Sequence, residues 1–340
     1  MNDRLETPKR PMTSRQLAAL IGVSQAAVSR AFTPGSSISP ELRERILRGA
    51  REFGYQPNAI ASMLTTRRTN IIGLVVSDMS NPFHPAMVER LTRGLQRLGL
   101  QSLLFNVTPG ARVEDQLIAI RTYNVDAVIV LSATVLSERD LAWAVEGRRA
   151  VVLNRLTTQD ITTICCDTGL GMRALVDHLH AIGRRRIGYV AGLTRSAIGM
   201  ERHSAFTTRL AELGMRLTGT ASYESHSYEA GWKGALDLLA GKPDAILFAT
   251  DILALGGMDA LREAAGLRIP EDIAVAGFDD IALAGWPHYA LTTYRQPIDQ
   301  MVELTLSQFT AGPAPAPAHI AIPGELVIRG STQRLGDTTV

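Results

Sequence analysis

From Asn70 onward the sequence alternates short apolar runs with amphipathic segments, and the alternation begins afresh at Asp167. The apolar runs have the length of buried strands, while segment 85–98 repeats its apolar residues at helical spacing. Strands that alternate with helices form parallel sheets joined by right-handed crossovers. Two successive series therefore predict two doubly wound α/β subdomains. The predicted strands are Ile71–Val76, 103–105, 128–131, 151–153, 187–191, 245–249, 273–276 and, returning at the end, 325–332.

Three short helices are predicted before this region. Ala18, Gly22 and Val28 have the spacing of a helix-turn-helix, because a small residue lets two helices approach, a glycine permits a tight turn, and an apolar residue packs back onto the first helix. Such spacing also arises by chance, so DNA binding needs further support. The predicted caps are Thr13 or Ser14, Ser24 and Ser39 before Pro40, and the predicted stops are Gly22, the Pro34-Gly35 pair and Gly54.

The net charge of +2 hides an asymmetry along the 340 residues. Residues 1–68 carry 11 Lys and Arg against 5 Asp and Glu, whereas the remainder carries 24 against 28. A basic N-terminal part suits a nucleic-acid partner, because phosphate neutralisation dominates affinity for DNA. Basic termini are common, so this observation supports DNA binding without establishing it.

Two segments carry a resemblance to a known family. Residues 22–30 read GVSQAAVSR and residues 53–58 read FGYQPN. Together they closely resemble the head of the lactose/galactose repressor (LacI/GalR) family, and the resemblance extends from Thr13 to about Thr332. It implies a head at 12–56, a hinge helix at 57–66 and an effector-binding and dimerisation region at 70–332. The last would divide into an N-subdomain, about 70–165 and 294–322, and a C-subdomain, about 166–293 and 323–332.

The resemblance also implies how the head contacts DNA. Its second helix would lie in the major groove with Gln25, Ala26 and Arg30 at base-reading positions, and Ser24 and Ser29 suit phosphate contacts. Glutamine can bond adenine bidentately and arginine can bond guanine, but alanine can touch only a thymine methyl group. A solvated helix face is the alternative interpretation of these side chains.

The hinge segment 58–64 spans about two helical turns, which is too short for a helix that is stable alone. It is expected to fold when two copies pack together on DNA. By resemblance, Asn58 belongs to this DNA-contacting segment and Leu64 wedges into the minor groove, kinking the duplex. Ser62 replaces the arginine common in the family, and the alternative for Leu64 is an ordinary linker residue.

Polar residues follow the predicted strands, where ligands of parallel sheets bind. The family resemblance places effector contacts at Asn154, Arg202, Thr250 and Asp279, with Phe83 and His226 as walls of the site. Such side chains suit a polyol, because arginine donates, aspartate accepts and amides or hydroxyls do either. Asp251 and Asp280 precede helical segments and are expected to be helix caps.

The sequence argues against other classes of protein. It contains no zinc-spaced His/Cys cluster, phosphate loop or nucleophile elbow, so neither an enzyme nor a metal or cofactor is expected. Cys165 and Cys166 are expected to be small buried residues of a strand. No run of 18 apolar residues and no signal peptide are present, which predicts a cytoplasmic protein without a membrane partner.

A solute-binding receptor is the serious alternative, since its α/β region would look the same. A regulator that senses a nucleobase or another metabolite is a further alternative. The expected partners are a pseudo-palindromic DNA operator, a sugar-like effector and a second copy of the chain. We expect a dimer, because no heptad pattern follows residue 332.

Overall fold

A computed structural model describes residues 12–33, 35–57, 68–107, 118, 120–131, 136–310 and 316–333. The chain forms two compact units, Met1–Thr69 and Asn70–Val340. We call the first unit the head and the second the body. Within the described ranges, no helix is both long enough and apolar enough to cross a membrane.

The head contains helices α1 (Ser14–Ile21), α2 (Gln25–Ala31) and α3 (Pro40–Glu52). Thr13 caps α1 through a reciprocal pair of hydrogen bonds with Gln16, which settles the choice between Thr13 and Ser14. Gly22 ends α1 with φ of 66°, a conformation that glycine adopts without steric cost. The three helices enclose a small core of Leu17, Ala18, Ala27, Val28, Ala31, Ile46 and Ala50.

The body is built from strands that alternate with helices, as the sequence predicted. Its strands are β1 (Ile71–Val76), β2 (Gln101–Asn106), β3 (Ala127–Leu131), β4 (Arg149–Leu153), β5 (Thr162–Cys166), β6 (Arg186–Ala191), β7 (Arg216–Ser222), β8 (Ala245–Phe248), β9 (Ala274–Asp279), β10 (Thr292–Arg295), β11 (His319–Ile322) and β12 (Glu325–Val327). Its helices are α4 (Phe83–Arg97), α5 (Glu138–Val145), α6 (Thr168–Ala181), α7 (Ala197–Glu212), α8 (Tyr228–Leu238), α9 (Asp251–Asp259) and α10 (Ile298–Ser307).

Among the described residues these strands form two six-stranded sheets. The first has the order β11-β5-β4-β3-β1-β2 and the second the order β12-β10-β9-β8-β6-β7. All neighbouring strands run parallel except β10 and β12, which are antiparallel. The prediction of a helical head followed in the sequence by two doubly wound parallel sheets is therefore confirmed.

The chain passes between the two sheets at three places: after β5, after β10 and after β11. Helix α6 packs on the second sheet against β10 and β12, whereas α10 packs against α4 and β5 of the first sheet. We call the part around the first sheet the N-lobe and the part around the second the C-lobe. Because the lobes exchange segments repeatedly, neither could separate from the other without unfolding.

Several predicted boundaries differ from the structure, most of them by one to three residues, and two have a clear physical cause. Helix α4 begins at Phe83 rather than at Pro85, because a proline in the first turn of a helix gives up no intrahelical hydrogen bond. The last strand ends at Val327, since Arg329 and Ser331 bond to residues around Thr292 instead of extending the ladder. Cys165 and Cys166 lie buried and reduced in β5, as expected.

Candidate functional site

Helix α2 presents one polar, exposed face in the head. Ala27 and Val28 are buried, whereas Gln25, Ala26, Ser29 and Arg30 are exposed. This division follows from helical spacing: the apolar pair packs toward α1 and α3, and the intervening residues point away from the core. The predicted base-reading residues therefore share one solvent-facing surface.

Among the described residues of the head, the side chains of this face make local hydrogen bonds. Gln25 Nε2 donates to Ser14 Oγ at 3.0 Å, and Arg30 Nε donates to the Ala26 carbonyl at 3.4 Å. Ser24 Oγ accepts from the Ala27 amide and caps the helix. Both long side chains are thus held by weak exposed hydrogen bonds that a DNA base could replace. Asn58 and Leu64, predicted to contact DNA, lie outside the described residues.

The body contains a cavity between its lobes, at the carboxyl ends of strands from both sheets. Its empty space, part of it open to solvent, amounts to about 670 Å³. All six residues proposed for effector binding line it: Phe83, Asn154, Arg202, His226, Thr250 and Asp279. The lining also includes residues that the sequence argument did not single out, among them Asp78, Asn81, His84, Tyr189, Ser196 and Gln296.

Arg202 and Asp279 form a buried ion pair in the wall of this cavity. Arg202 Nη2 lies 3.8 Å from Asp279 Oδ1, and their side chains are 9% and 2% exposed. Arg202 Nη1 donates to the Ala249 carbonyl at 2.6 Å, and its guanidinium lies 3.9 Å above the centre of the Phe278 ring. Burial raises the pKa of Asp279, while the nearby Arg202 charge opposes that rise. The pair is a desolvated donor and acceptor held in fixed geometry.

Three buried polar atoms in the wall lack a hydrogen-bond partner within the described part of the chain. They are Arg202 Nε, Thr250 Oγ1 and Asp279 Oδ2, which supply a donor, a hydroxyl group and an acceptor. Buried polar groups are nearly always satisfied in folded proteins. Because all three belong to residues that line one cavity, a polar ligand there would complete their bonding.

Gln296 joins the two lobes across the cavity. Its Nε2 donates to Asp279 Oδ1 at 2.6 Å, and its Oε1 accepts from Asn154 Nδ2 at 2.9 Å. Asn154 Oδ1 in turn accepts from the Cys166 amide. Gln296 follows β10, at the second passage of the chain between the lobes. A polar residue directly after a strand was the available signal, but the sequence did not reveal its partners.

Asp78 and His226 form a second contact across the cavity. Asp78 follows β1 of the N-lobe, and His226 precedes α8 of the C-lobe. The Leu193 amide donates to His226 Nε2 at 3.4 Å, so Nδ1 carries the proton and donates to Asp78 Oδ2 at 3.2 Å. Burial raises the pKa of Asp78, but hydrogen bonds from His226 and Ser80 outweigh burial, and the net pKa lies below its ordinary value.

Neither Asp251 nor Asp280 is the helix cap that the sequence suggested. Asp251 is fully buried and accepts from the Ile281 amide and from the Thr293 hydroxyl. Burial and the neighbouring Asp279 charge raise the pKa of Asp251. Asp280 instead pairs with two arginines, Arg295 at 2.7 Å and Arg329 at 2.7 Å. Asp280 makes charge-assisted bonds to its arginines, and both oxygens of Asp251 are occupied by Ile281 and Thr293.

Comparison with known proteins supports the resemblance. A family described as "Periplasmic binding protein-like domain" matches residues 176–332. The chain is 30% identical, over an alignment of 346 positions, to the HTH-type transcriptional regulator CelR of Thermobifida fusca, covering 96% of this chain and 100% of that protein. It is 28% identical to the ribose operon repressor of Haemophilus influenzae, covering 86% and 90%.

Solved structures give the same result. The lac repressor dimer bound to operator and the anti-inducer ONPF superimposes with a TM-score of 0.80 at 26% identity, covering 95% of this chain and 99% of that one. A complex of the transcriptional regulator CelR with cellobiose gives a TM-score of 0.67 at 27% identity, covering 94% and 99%. These similar proteins are regulators rather than enzymes, which confirms that prediction. The chain belongs to the LacI/GalR family of helix-turn-helix transcriptional regulators.

Proposed function

We propose that a small polyhydroxylated molecule binds in the cavity and controls the affinity of this regulator for its DNA operator. The observation that carries the proposal is the set of unpartnered buried atoms on Arg202, Thr250 and Asp279. A hydroxyl group can accept from the arginine and donate to the aspartate at once, so adjacent hydroxyls match this wall. A ligand that contacts both lobes can favour one arrangement of them over another.

The cavity and the relatives of this chain support one class of effector. One relative is named a ribose operon repressor, and another was solved with cellobiose. The wall of this cavity presents buried polar atoms that hydroxyl groups could bond, and Phe83 offers an apolar surface for a sugar ring. We therefore favour a sugar or sugar derivative as the effector and repression as the mode of regulation.

In the head, the exposed face of α2 would read bases, with Gln25 suited to adenine and Arg30 to guanine. Ser24 and Ser29 would contact phosphates, and Ala26 could touch a thymine methyl group. Two copies of the chain would bind a pseudo-palindromic operator, with Asn58 and Leu64 of each copy at its centre. Such a homodimer acts in the cytoplasm, where its operator lies.

Direct binding measurements test the proposal. The full chain is first screened by thermal shift against sugars, sugar acids and nucleosides, and each hit is titrated into a gel-shift assay with DNA from upstream of its own gene. We expect at least one sugar to raise the melting temperature and to change operator affinity. A hit confined to nucleobases would contradict the effector class, and failure to bind any upstream DNA would contradict operator binding there.

A further inference from the structure

The carboxylate of Asp279 enters the cavity from a turn with an unfavourable backbone. Asp279 has φ of 126° and Asp280 has φ of 56°, and neither is a glycine. Non-glycine residues seldom occupy this half of conformational space, and they persist there only when the surroundings hold them. Some part of the structure must therefore hold residues 279–281 in place.

Asp251 provides that restraint from beneath the turn. Its Oδ2 accepts from the Ile281 amide at 2.9 Å, and its Oδ1 accepts from the Thr293 hydroxyl at 2.6 Å. Thr293 Oγ1 also accepts from the Asp280 amide, at 3.4 Å. One fully buried carboxyl group thus fixes two successive amides of the turn, one directly and one through a hydroxyl group.

The surroundings of Asp251 allow its side chain to contact the turn 279–281 but not a ligand in the cavity. Gly277 lies in β9, where an added Cβ would stand 2.3 Å from Asp251 Oδ1, so only glycine leaves room for the carboxylate. Thr250 is the residue that precedes α9, and Asp251 makes no capping bond to that helix. Asp251 does not line the cavity, although its neighbour Thr250 does.

We propose that Asp251 is a positioning residue of the effector site, which holds the turn 279–281 so that the Asp279 carboxylate faces the ligand beside Arg202. The expected effect on effector binding rests on the proposed function, because a displaced Asp279 could no longer pair its free oxygen with a hydroxyl group of the effector. The restraint on the Ile281 amide does not depend on any ligand.

Hydrogen exchange in the free full-length protein tests the restraint directly. In Asp251→Ala the Ile281 amide should exchange about tenfold to a hundredfold faster, since it loses a buried hydrogen bond to the carboxyl group of Asp251. Asp251→Asn keeps one oxygen for this amide and should restore most of the protection. If Asp251→Ala does not fold, Thr293→Val should accelerate exchange of the Asp280 amide instead.

Asp244→Ala is the matched control. Asp244 also accepts from backbone amides of the C-lobe, those of Arg185 and Arg186, but it lies before β8, at the opposite end of the sheet from the cavity. Exchange should accelerate there and remain unchanged at 279–281. Unchanged exchange at Ile281 in Asp251→Ala, or equal acceleration throughout the second sheet, would overturn the proposal.

Ligand titration gives the second measurement. Cellobiose, galactose and ribose are titrated into the wild type and each variant by calorimetry. For a sugar that binds the wild type, Asp251→Ala should weaken binding about tenfold or more, and Asp244→Ala should leave it unchanged. Equal affinity in wild type and Asp251→Ala would overturn the positioning role. If none of the three binds the wild type, this choice of effectors is contradicted, while the exchange of Ile281 still decides the role of Asp251.

Discussion

The ion pair of Arg202 and Asp279 can be removed one charge at a time or both together. Arg202→Met keeps a long apolar side chain, and Asp279→Asn keeps an oxygen that can accept from Gln296. Asparagine also tolerates positive φ better than alanine does, so it suits a position with φ of 126°. The two single variants and the double variant form a thermodynamic cycle that isolates the interaction.

The expected magnitude follows from the geometry. Two unit charges at about 4 Å attract by about 4 kcal/mol at an effective dielectric constant near 20. Each single variant strands one buried charge, which typically destabilises a protein by about 3–5 kcal/mol. Asp279→Asn should lie at the low end, because Arg202 keeps the Ala249 carbonyl and the Phe278 ring. The double variant strands no charge, so it should be more stable than the sum of the single effects predicts, by about 3 kcal/mol.

Urea unfolding followed by tryptophan fluorescence measures these values. All three tryptophans, Trp143, Trp232 and Trp286, lie in the body, so the signal reports the unit that holds the cavity. Arg209 lies on the same helix α7 and pairs with Asp177 at 2.6 Å, but this pair is far more exposed. The corresponding cycle of Arg209→Met and Asp177→Asn should give a coupling below about 1 kcal/mol.

Effector binding distinguishes the role of the pair from its contribution to stability. The double variant should fold and yet bind no effector, because its wall lacks both charged partners. A coupling energy no larger than that of the exposed control pair would refute the charged state that we assign to the buried pair. Wild-type affinity for effector in the double variant would place the ligand contacts elsewhere.

Further predictions concern DNA reading, the hinge and pH. Arg30→Ala should weaken specific binding by about 1–3 kcal/mol and relax preference at one base pair; an equal loss on every single-base operator variant would make it a phosphate contact. Leu64→Ala should reduce operator bending in a circular-permutation gel assay, and an unchanged angle with unchanged affinity would argue against the wedge. Burial, together with the charges of Asp279 and Asp280, raises the pKa of Asp251 from 3.8 to about 8. Between pH 3.8 and about pH 8 the folded state therefore holds a proton that the unfolded state has lost. Wild-type unfolding free energy should therefore fall by up to about 1.4 kcal/mol per pH unit from pH 5 to 8, whereas Asp251→Asn should lack this slope; parallel curves would show that no such proton exists.

The architecture was predictable because its signals are local. Apolar runs of strand length alternate with helical spacing, and sterics leave few ways to connect such elements. Thr13, Ser24 and Ser39 cap the three helices of the head, as expected from their side chains. Boundaries were less accurate at α4, where the helix accommodates a proline in its first turn, and at β12, where hydrogen bonds to distant residues end the strand.

The cavity was predictable only in part. Strand ends and the family resemblance indicated six residues that the structure brings together around one cavity. Asp78 and Gln296 were missed because each bonds to a residue more than a hundred positions away, and no local pattern identifies such a partner. Asp251 and Asp280 were assigned as caps because a carboxylate before a helix usually is one. Fixed partners across the sheet outweighed that local preference.

The bonding of Gln296 gives a physical reason for the cavity to sense its ligand. Gln296 connects Asn154 of the N-lobe with Asp279 of the C-lobe, and it stands where the chain itself passes between the lobes. A ligand bonded to Asp279 would either compete with the hydrogen bond from Gln296 or strengthen it. The outcome depends on which carboxylate oxygen of Asp279 the ligand contacts. The two arrangements of the lobes then differ in ligand affinity, and only such a difference can shift their equilibrium. Under the proposed function, the contacts that select the effector would therefore also determine the direction of its response.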